Sequence, residues 1–380
     1  MTIHWCGTGL STTPGLRRLI EAGHELVVWN RTVSKAASAV GDIQSDIRVF
    51  DFEEISKATQ KGDVVVSMLP GDWHVPLAEM CISKGANFVS SSYIAPEMRA
   101  LDAAAKSAGV VSVNEVGLDP GIDHLMAHVL VNDYQTSSAY DPENEISFIS
   151  YCGGIPKIPN AFRYKFSWSP LGVLKALRSP SKSIRDFEEL NVTRPWDAIS
   201  SYTAPLASPE TFEVYPNRDS LPFIDDYNMT DGFRIKEFVR GTLRLNGWKD
   251  AWSGVFEEIE QLSGEAGDAR LAEMSKQFWA ENAYAPDEPD RVVMCVALKA
   301  EQNAEVRYHK TYAMDAWGAE GITAMARLVS IPVSLAVEAV LNNSFQPGVH
   351  AAPNDLSLVK QWLGTVDTLA QHLEIVDHLA

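Results

Sequence analysis

The stretch that most limits what this chain can become is residues 2–32, TIHWCGTGLSTTPGLRRLIEAGHELVVWNRT. IHWC at 3–6 reads as a short buried strand, and Gly7 and Gly9 follow it at once. Leu16, Leu19 and Ile20 recur at helical spacing, Gly23 stops the helix, and LVVW at 26–29 is a second strand. Strand, glycine turn and helix in that order give a GxG pair its meaning. The first glycine allows a tight turn. The second lets backbone N–H groups approach a pyrophosphate on the helix N-terminus, where Leu10 and Ser11 stand. The usual third glycine position holds Thr12, which leaves the detailed geometry of the turn open.

The end of the second strand selects the dinucleotide. About 20 residues beyond the turn, NAD-binding sheets place an Asp or Glu on the ribose 2′-OH. Here Asn30, Arg31 and Thr32 occupy that place. A carboxylate would repel a 2′-phosphate, whereas a guanidinium beside an amide and a hydroxyl binds one. The sequence therefore favours NADP. Arg31 as an ordinary solvated residue is the weaker reading, given the glycine turn upstream.

RVF at 48–50, DVVVSMLP at 63–70, NFV at 87–89 and VVSV at 110–113 then alternate with helical stretches. That alternation predicts an α/β Rossmann fold, a doubly wound parallel sheet. Ligands of such sheets bind beyond the carboxyl ends of the strands, which puts Leu69, Pro70, Ser91 and Leu118 beside the cofactor. The pattern changes near Ile122. The expected division is an NADP-binding domain at 1–122, completed by a C-terminal helix in 354–380, and an α+β domain at 123–353. The second domain is expected to hold strands at 145–152, 163–168, 291–301 and 305–314. It also has a helix at 323–341 kinked or broken at Pro332, and an insertion at 179–289 rich in Pro, Trp and charge.

At 380 residues the chain is too long for one ordinary core, which makes two domains the natural prior. A net charge of −18 argues against nucleic acid as a partner, so an anionic cofactor or substrate must be held by a local Arg or Lys cluster. No apolar run reads as a membrane span. Cys6, Cys81, Cys152 and Cys295 are scattered without metal-ligand spacing and read as reduced thiols of a cytoplasmic protein.

Polar chemistry is densest in NEVGLDPGIDH, residues 114–124, at the end of a strand. Two glycines and a proline pin a backbone that carries Glu115, Asp119, Asp123 and His124. Asp119 is the functional candidate there. Asp123 serves equally well as a cap, and His124 fits a packing role. Cys152, at a strand end before Gly153 and Gly154, fits a buried hydrophobe less well than the other three cysteines do. YKFSWSP at 164–170 and YPNRDS at 215–220 mix aromatic, hydroxyl and cationic groups that suit an amino-acid carboxylate. Arg240 and Arg244 could assist or could line a solvated strand face.

GLDPGIDH at 117–124, YCGG at 151–154, YKFSWSP at 164–170, YPNRDS at 215–220, RGTLRLNGW at 240–248 and GVH at 348–350 together resemble the saccharopine dehydrogenase family, specifically its L-glutamate-forming branch. The resemblance runs in the family's order along nearly the whole chain. It implies a Rossmann domain, a substrate-binding and dimerisation domain with a helical insertion, and a homodimer. It also implies an NADP-linked oxidoreductase: saccharopine, NADP+ and water give L-glutamate, 2-aminoadipate 6-semialdehyde and NADPH, or the reverse. Carried over residue by residue, Tyr93, Asp119, Cys152, Ser169 and Arg218 line the substrate pocket, with Asp119, Cys152 and Tyr93 as candidates for proton transfer. The carboxyspermidine- and carboxynorspermidine-forming branch is the neighbouring alternative, with an acidic amine site in place of an arginine clamp. A non-catalytic NADP-binding regulator is the alternative from another class. The first strands also look like those of β-hydroxyacid dehydrogenases, but the strands expected at 145–152 and 291–314 do not suit an all-helical second domain.

Overall fold

The computed structural model describes residues 1–44 and 46–380. In chain order the strands are β1 (Ile3–Cys6), β2 (Leu26–Asn30), β3 (Ile47–Val49), β4 (Val64–Ser67), β5 (Asn87–Ser90), β6 (Val111–Val113), β7 (Glu145–Pro156) and β8 (Ser181–Arg185). They continue as β9 (Glu188–Val192), β10 (Ser200–Ala204), β11 (Glu210–Pro216), β12 (Arg234–Leu245), β13 (Asp290–Gln302), β14 (Glu305–Trp317), β15 (Gly348–His350) and β16 (His372–Asp377). Two compact units emerge: residues 1–125 with 326–366, and residues 126–325 with 367–380.

The first unit is built on a seven-stranded sheet in the order β15-β6-β5-β4-β1-β2-β3, every pair parallel. β1 and β4 are buried on both faces, which is why IHWC and VVVS lack the polar alternation of a one-sided strand. Cys6, Val65, Leu77, Phe88 and Trp29 share one core cluster of this unit. Parallel pairing brings the carboxyl ends of all these strands to one edge. The doubly wound sheet read from the sequence is therefore present, with one more strand, β15, than the sequence indicates.

The helix Thr13–Glu21 follows β1 and packs closely on the helix Ala324–Leu341. A Cβ at Gly15 would collide with the backbone carbonyl of Ser330. The third glycine, whose usual role is close packing of the helix, thus stands at Gly15 rather than at position 12. Arg18 adds a bond to Ser334 at 3.0 Å and an ion pair to Glu338 at 2.7 Å. Ala324–Leu341 is a single helix with Pro332 inside it. Its 18 residues have a mean hydropathy of 1.7, enough in length and composition to cross a membrane, contrary to the sequence expectation; 67% of it is buried. Ser330 and Ser334 inside it are fully buried and hydrogen-bonded, as suits a core helix.

The second unit is organised around a nine-stranded sheet with the path β10-β11-β12-β7-β13-β14-β16, to which β8 and β9 attach beside β12. All pairs are antiparallel except β12 with β7. One face packs Ile155, Phe212, Val214, Leu243, Val293 and Cys295. Tyr164, Tyr215, Trp248, Trp252 and Phe256 form a separate aromatic core.

Three expectations change here. Residues 179–289 are no insertion, because β12 runs through the middle of the sheet between β11 and β7. Residues 163–168 form no strand. The C-terminal segment is divided: residues 326–366 complete the first unit, whereas 367–380 return β16 to the edge of the second sheet, antiparallel to β14.

Candidate active site

The nucleotide cradle lies at the carboxyl edge of the parallel sheet. Gly7 has φ +103°, and a Cβ there would meet the Met68 carbonyl oxygen at 2.8 Å and the Leu69 side chain at 3.3 Å. Only glycine satisfies both the left-handed backbone and the close approach. Gly9 has open space around it, so a ligand's phosphates could come against its backbone. Leu10 is half exposed, and the Thr12 hydroxyl donates to the Gly9 carbonyl at 2.9 Å.

Half-buried Asn30 braces this turn. Its Oδ1 accepts from Thr8 N at 3.2 Å and its amide donates to Thr32 O at 2.8 Å. Arg31 and Thr32 are exposed, and Arg31 has no ion-pair partner among the described residues. A free guanidinium at the end of β2 fits a 2′-phosphate. Leu69 lies against Gly7, exposed Pro70 follows it, and a Cβ on Gly117 would approach that of Ser91 to 3.1 Å, next to buried Leu118. The residues of this rim thus fit an NADP molecule: a turn open to phosphates, a helix N-terminus and an unpaired cation.

The loop after β6 supplies the polar chemistry of this unit. The Tyr93 hydroxyl donates to Asp119 Oδ1 at 2.9 Å, and both residues are partly exposed. Their scaffold is buried. Glu115 is 3% exposed and holds φ +55°, which costs a side-chain-bearing residue about 1 kcal/mol. Its carboxylate explains why no glycine stands there. Oε1 accepts from Ile94 N at 2.8 Å, and Oε2 lies 3.2 Å from His124 Nε2. The Glu115 N–H donates to the Ser92 carbonyl at 3.1 Å. Asp123, fully buried, accepts from Gly121 N at 2.7 Å. The cap reading of Asp123 and the packing reading of His124 therefore match their surroundings. The segment 92–94 is gripped by Glu115 so that Tyr93 reaches Asp119.

Among its bonds one residue stands out that the sequence reading passed over. His74 Nδ1 lies 2.9 Å from Ser67 Oγ and Nε2 lies 2.8 Å from Ser92 Oγ. Burial depresses its pKa to about 4, with Asp72 pulling weakly the other way, so the ring is neutral near pH 7. No short motif marks it; only the fold brings Ser67 and Ser92 to its two nitrogens.

The remaining sequence candidates belong to the second unit. Cys152 on β7 is 7% exposed and sits in register with Thr242 of β12 and Met294 of β13. Ser169 is exposed and caps the helix Pro170–Leu177, accepting from Gly172 N at 3.2 Å. Arg218 is exposed at φ +58°, and its carbonyl accepts from Lys182 N. Arg240 and Arg244 are not on a solvated face; they are 4% and 5% exposed.

Register puts Ser150, Cys152, Arg240, Thr242, Arg244 and Tyr215 on one face of the sheet. The Arg244 guanidinium lies 4.8, 5.4 and 5.6 Å from the ring centres of Tyr164, Trp248 and Tyr215. Its Nε and the Trp248 indole N–H are buried without a hydrogen-bond partner among the described residues. The nearest carboxylate in register, Glu213, is occupied by the backbone N–H groups of Gly247 and Lys249 at 2.9 and 2.7 Å. An aromatic cage offsets part of the cost of burying this charge, and an incoming anion would offset the rest.

Residues 3–113 match the family model of the saccharopine dehydrogenase NADP binding domain, and residues 117–368 that of the saccharopine dehydrogenase C-terminal domain. The chain is 28% identical to the saccharopine dehydrogenase [NADP(+), L-glutamate-forming] of Pyricularia oryzae over 91% of its own length and 92% of that protein. It is 34% identical to the mitochondrial alpha-aminoadipic semialdehyde synthase of Mus musculus over 60% of its length, matching 24% of that longer protein. The solved apo saccharopine dehydrogenase (L-Glu forming) of Saccharomyces cerevisiae shares the fold, with a TM-score of 0.78 at 24% identity over 99% of both chains. The homospermidine synthase of Legionella pneumophila, solved with NAD, shares it with a TM-score of 0.65 at 10% identity, over 99% of this chain and 91% of that one. With both family models matched in order along one chain, this protein belongs to the saccharopine dehydrogenase family of NADP-linked oxidoreductases, residues 3–113 being its NADP-binding domain.

Proposed function

We propose that the protein is an NADP-dependent, glutamate-forming saccharopine dehydrogenase: saccharopine, NADP+ and water give L-glutamate, 2-aminoadipate 6-semialdehyde and NADPH, or the reverse. The observation that carries the choice of substrate is Arg244, a buried guanidinium without a carboxylate partner among the described residues. Saccharopine brings three carboxylates. The carboxyspermidine- and carboxynorspermidine-forming alternative joins a diamine, which would need an acidic site, to aspartate semialdehyde, which brings a single carboxylate, so Arg244 favours it less. The solved homospermidine synthase supports a shared fold and nothing about substrate.

The cofactor, when bound, exchanges a hydride with the carbon of the C–N bond. Gly7, Gly9, Leu10 and Ser11 would hold its pyrophosphate and Arg31 and Thr32 its 2′-phosphate, and Leu69, Pro70, Ser91 and Leu118 would complete the cofactor-binding set. Asn30 acts indirectly, as the brace of the turn. Forming or breaking the carbinolamine requires a proton at nitrogen or oxygen. Tyr93 and Asp119, bonded at 2.9 Å, are placed to hand it over, and a group of this kind contributes about 10²–10⁴-fold to rate. Cys152 belongs with the substrate-binding set, beside Ser169, Arg218 and Arg244.

A homodimer would match the family resemblance, and the four buried free cysteines are in keeping with the reducing cytoplasm. Sedimentation velocity tests the dimer, which a single species at 41.8 kDa would exclude. The function is tested by NADPH oxidation with glutamate plus the semialdehyde, against a diamine plus aspartate semialdehyde. Turnover with the first pair alone is expected. Turnover with the second alone moves the protein to the polyamine branch, and binding without turnover leaves the regulator reading.

A further inference from the structure

A buried polar group of the first unit that the mechanism above leaves unused, and that bonds at both ring nitrogens, is His74. It opens the helix His74–Lys84, just past the carboxyl end of β4, and is 7% exposed. Its ring packs edge-on to Phe88 at 6.4 Å. One ring nitrogen meets Ser67, the last residue of β4, and the other meets Ser92, which follows β5. A neutral imidazole donates at one nitrogen and accepts at the other, and each serine hydroxyl can supply the complement. The link therefore ties the ends of two adjacent parallel strands through side chains, where the backbone ladder has already stopped.

Ser92 is also held from the opposite side, where its carbonyl accepts from Glu115 N at 3.1 Å. Tyr93 is the next residue, and its hydroxyl spans to Asp119. The phenol is thus carried by a segment whose hydroxyl side is set by His74 and whose carbonyl side is set by Glu115. We propose that His74 is a positioning residue: through Ser92 it fixes the reach of Tyr93 to Asp119, and so the rate of the proton-transfer step. This rests on the reading of Tyr93 and Asp119 as the proton-handling pair. A packed core histidine with no such role would bear only on stability.

The two ring nitrogens allow the roles to be separated. A Gln amide reaches the position of Nε2 and keeps the Ser92 bond; an Asn amide reaches only the position of Nδ1 and keeps the Ser67 bond. His74→Asn is expected to lower kcat about tenfold, the scale on which small misplacements of reacting groups act, with NADPH affinity by fluorescence titration unchanged. His74→Gln should recover most of that loss. In a Tyr93→Phe background His74→Asn should cost nothing further, since its effect passes through the phenol.

Each result decides something. If Tyr93→Phe alone leaves kcat unchanged, the reading of Tyr93 fails and takes this inference with it. If Tyr93→Phe slows the enzyme but His74→Asn slows it equally in both backgrounds, the inference alone fails. Should His74→Asn not fold, Ser92→Ala removes the same link from its other end, and the same non-additivity with Tyr93→Phe is required.

Discussion

Gly15 donates its backbone N–H to Oγ of Ser330 at 2.8 Å, although 315 positions separate them in sequence. The bond is possible because no side chain keeps the two helices apart. Alanine at 15 would gain about 1 kcal/mol of helix propensity. It would also drive a methyl group into the Ser330 carbonyl, and such overpacking against backbone costs about 3 kcal/mol. The clash wins, so Gly15→Ala should lower the urea midpoint of unfolding. Thr12→Gly, restoring the usual third glycine, should not rescue it.

Arg31 is exposed and carries no carboxylate among the described residues, so its removal disturbs little in the fold. A charge-assisted bond to phosphate contributes about 1.5–3 kcal/mol. Arg31→Ala should therefore weaken NADPH binding by about ten- to a hundredfold and leave NADH binding nearly as it was. Titration of both cofactors checks this, and equal losses would remove the phosphate clamp from the account.

Arg244 sets stability against function. Arg244 has the Leu243 carbonyl at 3.3 Å and three rings around it but no carboxylate among the described residues, and replacing such a buried charge by an apolar side chain of similar volume is neutral or stabilising by about 1–2 kcal/mol. Arg244→Met should thus raise or preserve the melting temperature while increasing KM for the carboxylate substrate about a hundredfold, as expected when a buried charge pair with the ligand is lost. A fall in stability with unchanged KM would mean that the cage is purely structural.

The acid limb of stability should carry the mark of His74. Burial lowers its pKa from about 6.5 to about 4 in the folded protein. Between those values the unfolded chain binds the proton and the folded chain does not. Stability from this residue is complete above about pH 6.5 and falls as pH drops toward 4, by up to about 3 kcal/mol, with no further loss below. Urea midpoints of His74→Gln should depend less steeply on pH between 6.5 and 4 than those of the wild type. A parallel slope would show that the folded protein protonates this ring as readily as the unfolded chain does.

The first unit was legible because its signals are local. Gly7, the apolar runs of β1 and β4 and the cation after β2 lie within short windows, and parallel burial leaves those runs unbroken. The displaced third glycine is not legible because Thr12 precedes the helix and Gly15 lies within its first turn, and only the partner Ser330 shows which one makes the close approach. The middle of the second unit was misread for the opposite reason. In β12 the alternation places Arg240, Thr242 and Arg244 on an inward face, so a period of two with polar side chains at every second residue looks solvated. Of the rings that bury these arginines, Trp248 follows Arg244 by four positions, but Tyr164, Tyr215 and Phe223 come from other elements, out of reach of any local pattern. His74 has no local mark either: Ser67 and Ser92 stand 7 and 18 positions away, and only the parallel pairing of β4 and β5 brings both to one ring.

The assignment of residues 326–366 to the first unit has a consequence for the order in which the protein is made. The strand next to β6 and the helix that receives Gly15 are translated only after the whole of the second sheet except its last strand. During synthesis the nucleotide-binding half must wait, incomplete, with its first helix lacking the surface it was shaped to meet. A nascent chain stalled before residue 326 should therefore be a client for chaperones at its N-terminal part, even where the later-made half has already begun to form.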